Sequence, residues 1–147
     1  MTDFQIRQAN ENDVKLITEL EKTCFSTPWS EQSFFEEITR NELARYAVAE
    51  VGEQIIGYAG LWLVTDEGHI TNVAVHPDFR RKGIARALVS SLIKTSLREG
   101  ADKFTLEVRA SNAEAISLYK SLDFFECGIR REYYDDDGED ALIMWKT

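Results

Sequence analysis

The chain has 147 residues, of which 44% are hydrophobic and 29% are charged, and these proportions predict one globular domain over residues 1–147. The formal net charge of -9 disfavours nucleic acid as a partner, because phosphates would be repelled, and favours a cationic one. Met1-Thr2-Asp3 is unlike the start of a signal sequence and no apolar run is long enough to span a membrane, so we expect a cytoplasmic protein without membrane contact.

The N-terminal quarter predicts one short strand and two helices. Residues 4–7 alternate between apolar and polar side chains, and Asn10 can cap a helix with an apolar face. Ser30 can cap a second helix that ends near residue 40. Phe25 and Trp29 lie between the helices, where their rings either fill the core or form an apolar wall for a peptide.

The middle of the chain predicts a meander followed by a crossover. Strands are expected over residues 45–51, 54–65 and 69–75, and their short connections make them antiparallel neighbours. A helix from Gly83 to Gly100 then leads to a strand over residues 104–108, which makes a parallel strand–helix–strand unit.

The last third predicts a helix and a hairpin. Ser111 and Glu114 have the spacing of a capping box for a helix over residues 113–122. Two strands follow, over residues 125–133 and 141–146. The acidic segment 135–140 between them is either a solvated hairpin tip or a source of negative field for a cationic ligand.

The two cysteines, Cys24 and Cys127, have neither metal-binding nor redox spacing. We expect each to be a small buried side chain in a reducing compartment, and we expect no metal.

A basic loop joins the strand that ends at Val75 to the helix that begins after Gly83. The first N–H groups of a helix have no partner within it and attract anions, and glycine lets a ligand approach the backbone closely. The alternative is an ordinary solvated loop. Neither a Walker loop nor a dinucleotide fingerprint is present.

Two polar side chains on apolar elements are candidates for chemistry. Glu107 must either face solvent or lie in a cleft where desolvation raises its pKa, unless a cation such as Arg109 or Arg7 pairs with it. Tyr119 follows the apolar residues of the predicted last helix, where a tyrosine is commonly a core residue with a hydrogen-bonded hydroxyl.

Several motifs resemble the GNAT superfamily of N-acetyltransferases. Arg80-x-x-Gly83-x-Ala85 resembles the acetyl-CoA pyrophosphate loop, and Leu106–Asn112 followed by Ala115–Tyr119 resembles the second signature. The Phe25-x-x-Pro28-Trp29-Ser30 loop and the segments 129–134 and 139–144 extend the likeness to the bacterial ribosomal-protein-alanine N-acetyltransferases. The chain departs from the pattern at Ala85 and Asp123, where glycine is usual.

The resemblance implies an α/β fold, with a mostly antiparallel mixed sheet of six to seven strands, about four helices, and a splay between the fourth and fifth strands. It implies acetyl-CoA as co-substrate, Glu107 as general base and Tyr119 as general acid. The implied cofactor contacts are Val73, Ala74, Val75, Arg80, Arg81, Lys82, Gly83, Ile84, Ala85, Arg86 and Asn112. The implied substrate contacts are Phe25, Trp29, Tyr133 and Tyr134.

The expected activity is transfer of an acetyl group to the N-terminal α-amine of a protein, with a ribosomal protein that begins with Ala as the first candidate. Two alternatives remain: another amine, such as a lysine or a polyamine, or a non-catalytic acetyl-CoA-binding regulator. The sequence does not define the oligomeric state, and a monomer is compatible with it.

Overall fold

Over residues 3–147, which the computed structural model describes, the chain forms a mixed sheet of seven strands and four helices. The strands are β1 (Gln5–Gln8), β2 (Ala44–Val51), β3 (Gln54–Val64), β4 (Glu67–Val75), β5 (Lys103–Arg109), β6 (Phe125–Arg130) and β7 (Ala141–Lys146). The helices are α1 (Val14–Cys24), α2 (Glu31–Thr39), α3 (Ile84–Arg98) and α4 (Ala113–Ser121). The strand order across the sheet is β1-β2-β3-β4-β5-β7-β6.

β2, β3 and β4 form the predicted antiparallel meander, and β1 extends it by pairing antiparallel with β2. β3 ends one residue earlier than predicted, because Thr65 adopts a φ of 58° and lies in the turn, and β4 already begins at Glu67. Near its middle β4 contains one extra residue, since Gly60 pairs with Asn72 while Leu61 pairs with Ile70. Such a bulge increases the local twist of a strand and changes its course.

β4 and β5 are parallel neighbours for only three residue pairs, from Glu67 with Lys103 to His69 with Thr105. Beyond this point the strands separate, so no strand within residues 3–147 pairs with that side of β4 up to Val75. The predicted splay between the fourth and fifth strands is therefore confirmed, and it opens the centre of the sheet.

Each face of the sheet is covered by two helices. α1 and α2 pack against the first half of the sheet around Phe34 and Tyr58, which are fully buried. α3 and α4 pack on the opposite face. The apolar face of α3 packs on the sheet, and its buried hydrophobic residues are Ile84, Leu88, Val89, Leu92 and Ile93. Among the helices of residues 3–147, none combines the length and apolarity needed to cross a membrane.

Three predictions near the C-terminus require correction. Asn112, not Ser111, caps α4: its side-chain oxygen accepts a hydrogen bond from the Ala115 N–H at 3.1 Å. The N–H of Ser111 instead donates to Glu139. β6 ends at Arg130 rather than at residue 133, because the chain turns there.

The third correction is that Cys127 is exposed, as the extra residue of a bulge on the edge strand β6; Cys24 is partly buried. Asp123, where glycine is usual, adopts the left-handed φ of 72° that the position requires.

Candidate active site

A cleft of about 730 Å³ opens where β4 and β5 separate. Its lining comes from β4, β5, the loop before α3, the start of α4, the α1–α2 loop and the β6–β7 loop. Most of the predicted site residues line it together: Phe25, Trp29, Val73, Ala74, Val75, Arg80, Arg81, Gly83, Ile84, Ala85, Arg86, Glu107, Asn112, Tyr119 and Tyr134. Lys82 and Tyr133 are exposed and are not part of this lining.

The loop before α3 turns its backbone toward the cleft. Arg81 and Gly83 both adopt left-handed φ angles, of 63° and 78°. A side chain at Gly83 would meet no atom within 4 Å, so the space beside this backbone is open. α3 begins at the next residue, which places its unpaired N–H groups and the positive end of its dipole at the cleft.

The arginines of this segment have different contacts. Arg80 donates from Nε to the Val75 carbonyl oxygen at 3.1 Å and so holds the end of β4. Arg86 donates to the Ser121 hydroxyl at 2.5 Å and links α3 to α4 beside the cleft. Arg81 is exposed and lines the cleft mouth.

Glu107 projects from β5 into the cleft, and its side chain is only 12% exposed. Its Oε2 lies 2.7 Å from His69 Nε2, and its Oε1 lies 3.6 Å from Arg130 Nε. The hydrogen bond with His69 outweighs desolvation and lowers the pKa of Glu107 below its ordinary value. Of the alternatives for Glu107, the position in a cleft and the pairing with a basic side chain are both observed, but the pKa falls rather than rises. The partners are His69 and Arg130, whereas Arg109 and Arg7 pair with other carboxylates.

Tyr119 faces the cleft from α4 and is 7% exposed. Its ring packs edge to face on Phe124, with 5.7 Å between the ring centres. Burial raises the pKa of Tyr119 to about 12, so its hydroxyl keeps its proton at neutral pH. The phenol is thus a hydrogen-bond donor throughout the physiological range.

A buried carboxylate holds the α1–α2 loop against the cleft. Glu21 accepts a hydrogen bond from the Trp29 N–H at 2.9 Å and another from the Tyr58 hydroxyl. The Trp29 ring packs against Phe34, with 5.5 Å between the ring centres, and remains 37% exposed. The ring is therefore partly a core contact and partly a wall of the cleft, and its contact with a peptide remains a prediction.

The β6–β7 loop forms the facing wall. Tyr134 lines the cleft, and the guanidinium carbon of Arg109 lies 4.0 Å from the centre of its ring. The same guanidinium binds the carboxylates of Asp136, Asp137 and Glu139 at 2.8–3.3 Å. Arg109 thus binds three of the five carboxylates of the acidic tip, whose residues 135–138 are exposed to solvent, and a role of this segment toward a cationic ligand remains a prediction.

The sequence interpretation missed three residues of this site. Glu21 lies on the buried stripe of α1, and a carboxylate at an apolar helical position was a usable signal. His69 could have been placed beside Glu107 from the parallel register of β4 and β5. The role of Arg109 depends on the path of the β6–β7 loop, for which the sequence contains no comparable signal.

Comparison with known proteins agrees with this geometry. Residues 14–124 match the model of the Acetyltransferase (GNAT) family. This chain belongs to the GNAT acetyltransferase family.

Two curated relatives and one solved structure are especially similar to this GNAT chain. A Bacillus subtilis protein provisionally named as a ribosomal protein bS18-alanine N-acetyltransferase is 38% identical over 146 residues, which cover 99% of this chain and 97% of the relative. The Escherichia coli K12 protein of that name is 40% identical over 136 residues, which cover 90% and 89%. The crystal structure of the Escherichia coli ribosomal-protein-S18-alanine N-acetyltransferase superposes with a TM-score of 0.89 at 37% identity, covering 98% of this chain and 93% of that one.

These matches confirm the predicted family, the resemblance to the ribosomal-protein-alanine N-acetyltransferases, and the GNAT fold with its seven-stranded sheet. The roles of individual residues in the cleft remain predictions from geometry and chemistry.

Proposed function

We propose that this protein transfers the acetyl group of acetyl-CoA to the N-terminal α-amine of a ribosomal protein that begins with Ala. One observation supports this more than any other: Glu107 and Tyr119 line a single cleft, at the point where β4 loses its neighbour strand. The names of the relatives identify such an acceptor for those proteins, and the likeness covers nearly all of this chain. This acceptor would place the protein in the cytoplasm.

The described residues fit acetyl-CoA. The free side of β4 from Val73 to Val75 offers backbone groups that an extended amide chain such as pantetheine can pair with, as an added strand does. The open backbone at Gly83 and the start of α3 suit the pyrophosphate, with Arg81 at the mouth to add positive charge. Bound there, acetyl-CoA supplies an activated thioester.

In the proposed reaction the amine nitrogen bonds to the acetyl carbon while the carbon–sulfur bond breaks. The attacking nitrogen must lose one proton, and the departing sulfur must gain one. Glu107 is positioned to accept the first, directly or through one water molecule, and its lowered pKa keeps it ionised at neutral pH. His69 holds this carboxylate through the 2.7 Å hydrogen bond.

Tyr119 is assigned to the sulfur. Its hydroxyl stays protonated at neutral pH, because burial raises the pKa of Tyr119 to about 12. It can therefore donate a hydrogen bond, and finally a proton, to sulfur as negative charge develops there. Direct transfer of this kind needs no covalent intermediate on either cysteine.

The acceptor would enter between Trp29 and Tyr134, which line the same cleft from opposite loops. An α-amine has a pKa of about 7.7–8.0, against about 10.4 for lysine, so a carboxylate base suffices for the former near neutral pH. The net charge of -9 favours approach of a basic ribosomal protein.

The proposal can be tested on ribosomes. Ribosomal proteins from a strain that lacks the gene and from its parent would be compared by intact-mass spectrometry. We expect one protein that begins with Ala to lose the mass of one acetyl group, and to regain it with the intact gene but not with the Glu107→Gln variant. Identical ribosomal N-termini in both strains would contradict the assignment of a ribosomal acceptor.

A further inference from the structure

We propose that Arg109 is a positioning residue for acceptor binding: it holds Tyr134 against the cleft by binding the β6–β7 loop. The inference rests on the proposed function, because it assigns Tyr134 to the acceptor side. Arg109 itself lines the cleft, and its guanidinium contacts the Tyr134 ring and the acidic β6–β7 loop.

The geometry of the guanidinium is the first support. Arg109 is the last residue of β5. Glu107 precedes it by two residues, so the two side chains lie on the same side of the strand. The Nη2 of Arg109 contacts both oxygens of Asp136 at 2.8 Å, and its Nη1 contacts both oxygens of Asp137 at 2.9 and 3.0 Å. Paired contacts of this kind fix the orientation of an arginine as well as its position.

The stacking on Tyr134 is the second support. The guanidinium that binds the carboxylates also lies over the Tyr134 ring. Its central carbon is 4.0 Å from the ring centre, which is well within the distance of a cation–π contact. Tyr134 is half-buried and lines the cleft, whereas the neighbouring Tyr133 is 45% exposed and does not. Arg109 therefore contacts the ring of Tyr134, which lines the cleft, whereas the ring of Tyr133 faces solvent.

The charge balance of the loop is the third support. Five carboxylates occupy six positions from Asp135 to Asp140, and at this spacing they repel one another. Glu139 adds a second link between the loop and the end of β5, since its Oε1 contacts Arg109 at 3.3 Å and its Oε2 accepts from the Ser111 N–H at 2.7 Å. Without the guanidinium, the loop would lose the cation that binds three of its carboxylates, and the Tyr134 ring would lose its cation–π partner while keeping its edge contact with Tyr133.

The consequence for catalysis is specific. Removing the Arg109 contact should let Tyr134 move away and weaken acceptor binding, while the loop before α3 and the free edge of β4 stay intact. The Michaelis constant (KM) for the acceptor should therefore rise, and the KM for acetyl-CoA should not.

Steady-state kinetics with an N-terminal Ala peptide would test this in the wild type and in Arg109→Gln, Arg109→Lys, Tyr134→Ala and the Arg109→Gln/Tyr134→Ala double variant. Arg109→Gln should raise the peptide KM about tenfold, the scale of one lost cation–π contact at a partly desolvated site. Arg109→Lys, which keeps the charge but not the planar fork, should show an intermediate rise. The double variant should have the same peptide KM as Tyr134→Ala, because Arg109 acts through the Tyr134 ring.

Arg131→Gln is the matched control. Arg131 is an exposed arginine at the base of the same loop, and it reaches only Asp140, at 3.7 Å. The Arg131→Gln substitution should leave the KM for the peptide and the KM for acetyl-CoA unchanged. Hydrogen exchange of the folded proteins should increase over residues 132–139 in Arg109→Gln and remain at the wild-type level in Arg131→Gln.

Two results would overturn the inference. The first is an unchanged peptide KM in Arg109→Gln although hydrogen exchange of residues 132–139 becomes faster. The second is that Arg109→Gln and Tyr134→Ala raise the peptide KM additively, in free-energy terms, in the double variant. Failure of the proposed function is a separate outcome, since it shows in the wild type as absence of α-amine acetylation. If the wild type acetylates lysine instead, the KM of each variant would be measured with the lysine peptide and compared with the wild-type value.

Discussion

The two walls of the cleft are built in different ways. The wall that would hold acetyl-CoA, here the cofactor wall, is one continuous stretch from Val73 to Arg86, and it presents backbone groups and a helix start. The opposite wall, here the acceptor wall, consists of Phe25, Trp29 and Tyr134, which come from two distant loops. Its shape depends on side-chain contacts, namely those of Glu21 with the first loop and those of Arg109 with the second.

The difference indicates which half of the site is general and which is specific. Backbone groups at a strand edge and a helix start can bind a ligand whatever side chains surround them. Side-chain contacts between distant segments can change without disturbing the core, so they suit a wall that selects the acceptor. Glu107 and Tyr119 lie between the two walls, and substitutions there should affect the chemical step rather than either binding step.

The largest expected effect therefore belongs to Glu107→Gln and Tyr119→Phe. Each should lower kcat by roughly 10²-fold or more, the usual contribution of general acid–base catalysis, while the affinity for acetyl-CoA stays nearly intact. Tyr133→Phe, at an exposed position outside the cleft lining, is the control for the tyrosine. Near wild-type turnover in both variants would refute the catalytic assignments.

The next largest effect should come from the cofactor wall. Gly83→Asp places negative charge beside the expected pyrophosphate, and like charges at close range should weaken acetyl-CoA binding at least about tenfold. Gly52→Asp is the matched control, because Gly52 also has a left-handed φ and open space around it but lies in the β2–β3 turn. Equal calorimetric affinities for the two folded variants would show that this loop does not hold the cofactor.

The smallest expected effect concerns the pH dependence set by His69. Its hydrogen bond lowers the pKa of Glu107, so His69→Gln should let desolvation raise that pKa. A higher pKa leaves less ionised base at low pH, so the acid limb of kcat/KM should move to higher pH, with little change on the alkaline side. His76→Gln, at the other histidine of the chain, should leave this limb in place. Superimposable acid limbs for the His69 variant and the wild type would remove His69 from the mechanism.

The contrast between the walls also explains what could be predicted from the sequence. The cofactor wall is contiguous, so a local pattern of strand, basic loop, glycine and helix sufficed to predict its position. The meander, the crossover and the splay followed in the same way, from connection lengths and from the family resemblance.

The residues of the acceptor wall were expected from the family resemblance, but the contacts that hold them were not, because these contacts join residues far apart in the chain. The ion pairs of Arg109 depend on how the β6–β7 loop returns. Between the two walls, the pairing of Glu107 with His69 follows once the parallel register of β4 and β5 is known. Composition shows that the acidic tip is negatively charged, but it does not show that Arg109 binds three of the carboxylates. Side-chain burial and partner identity, rather than secondary structure, were the quantities that the sequence left open.

The central claim is that the acceptor is an N-terminal α-amine. Two peptides would test it at equal concentration: one with a free N-terminal Ala and no lysine, and one with a blocked N-terminus and an internal lysine. Mass spectrometry of the products gives the two rates directly. The account predicts rapid acetylation of the free N-terminus and little of the lysine, whereas faster acetylation of the blocked lysine peptide would contradict it.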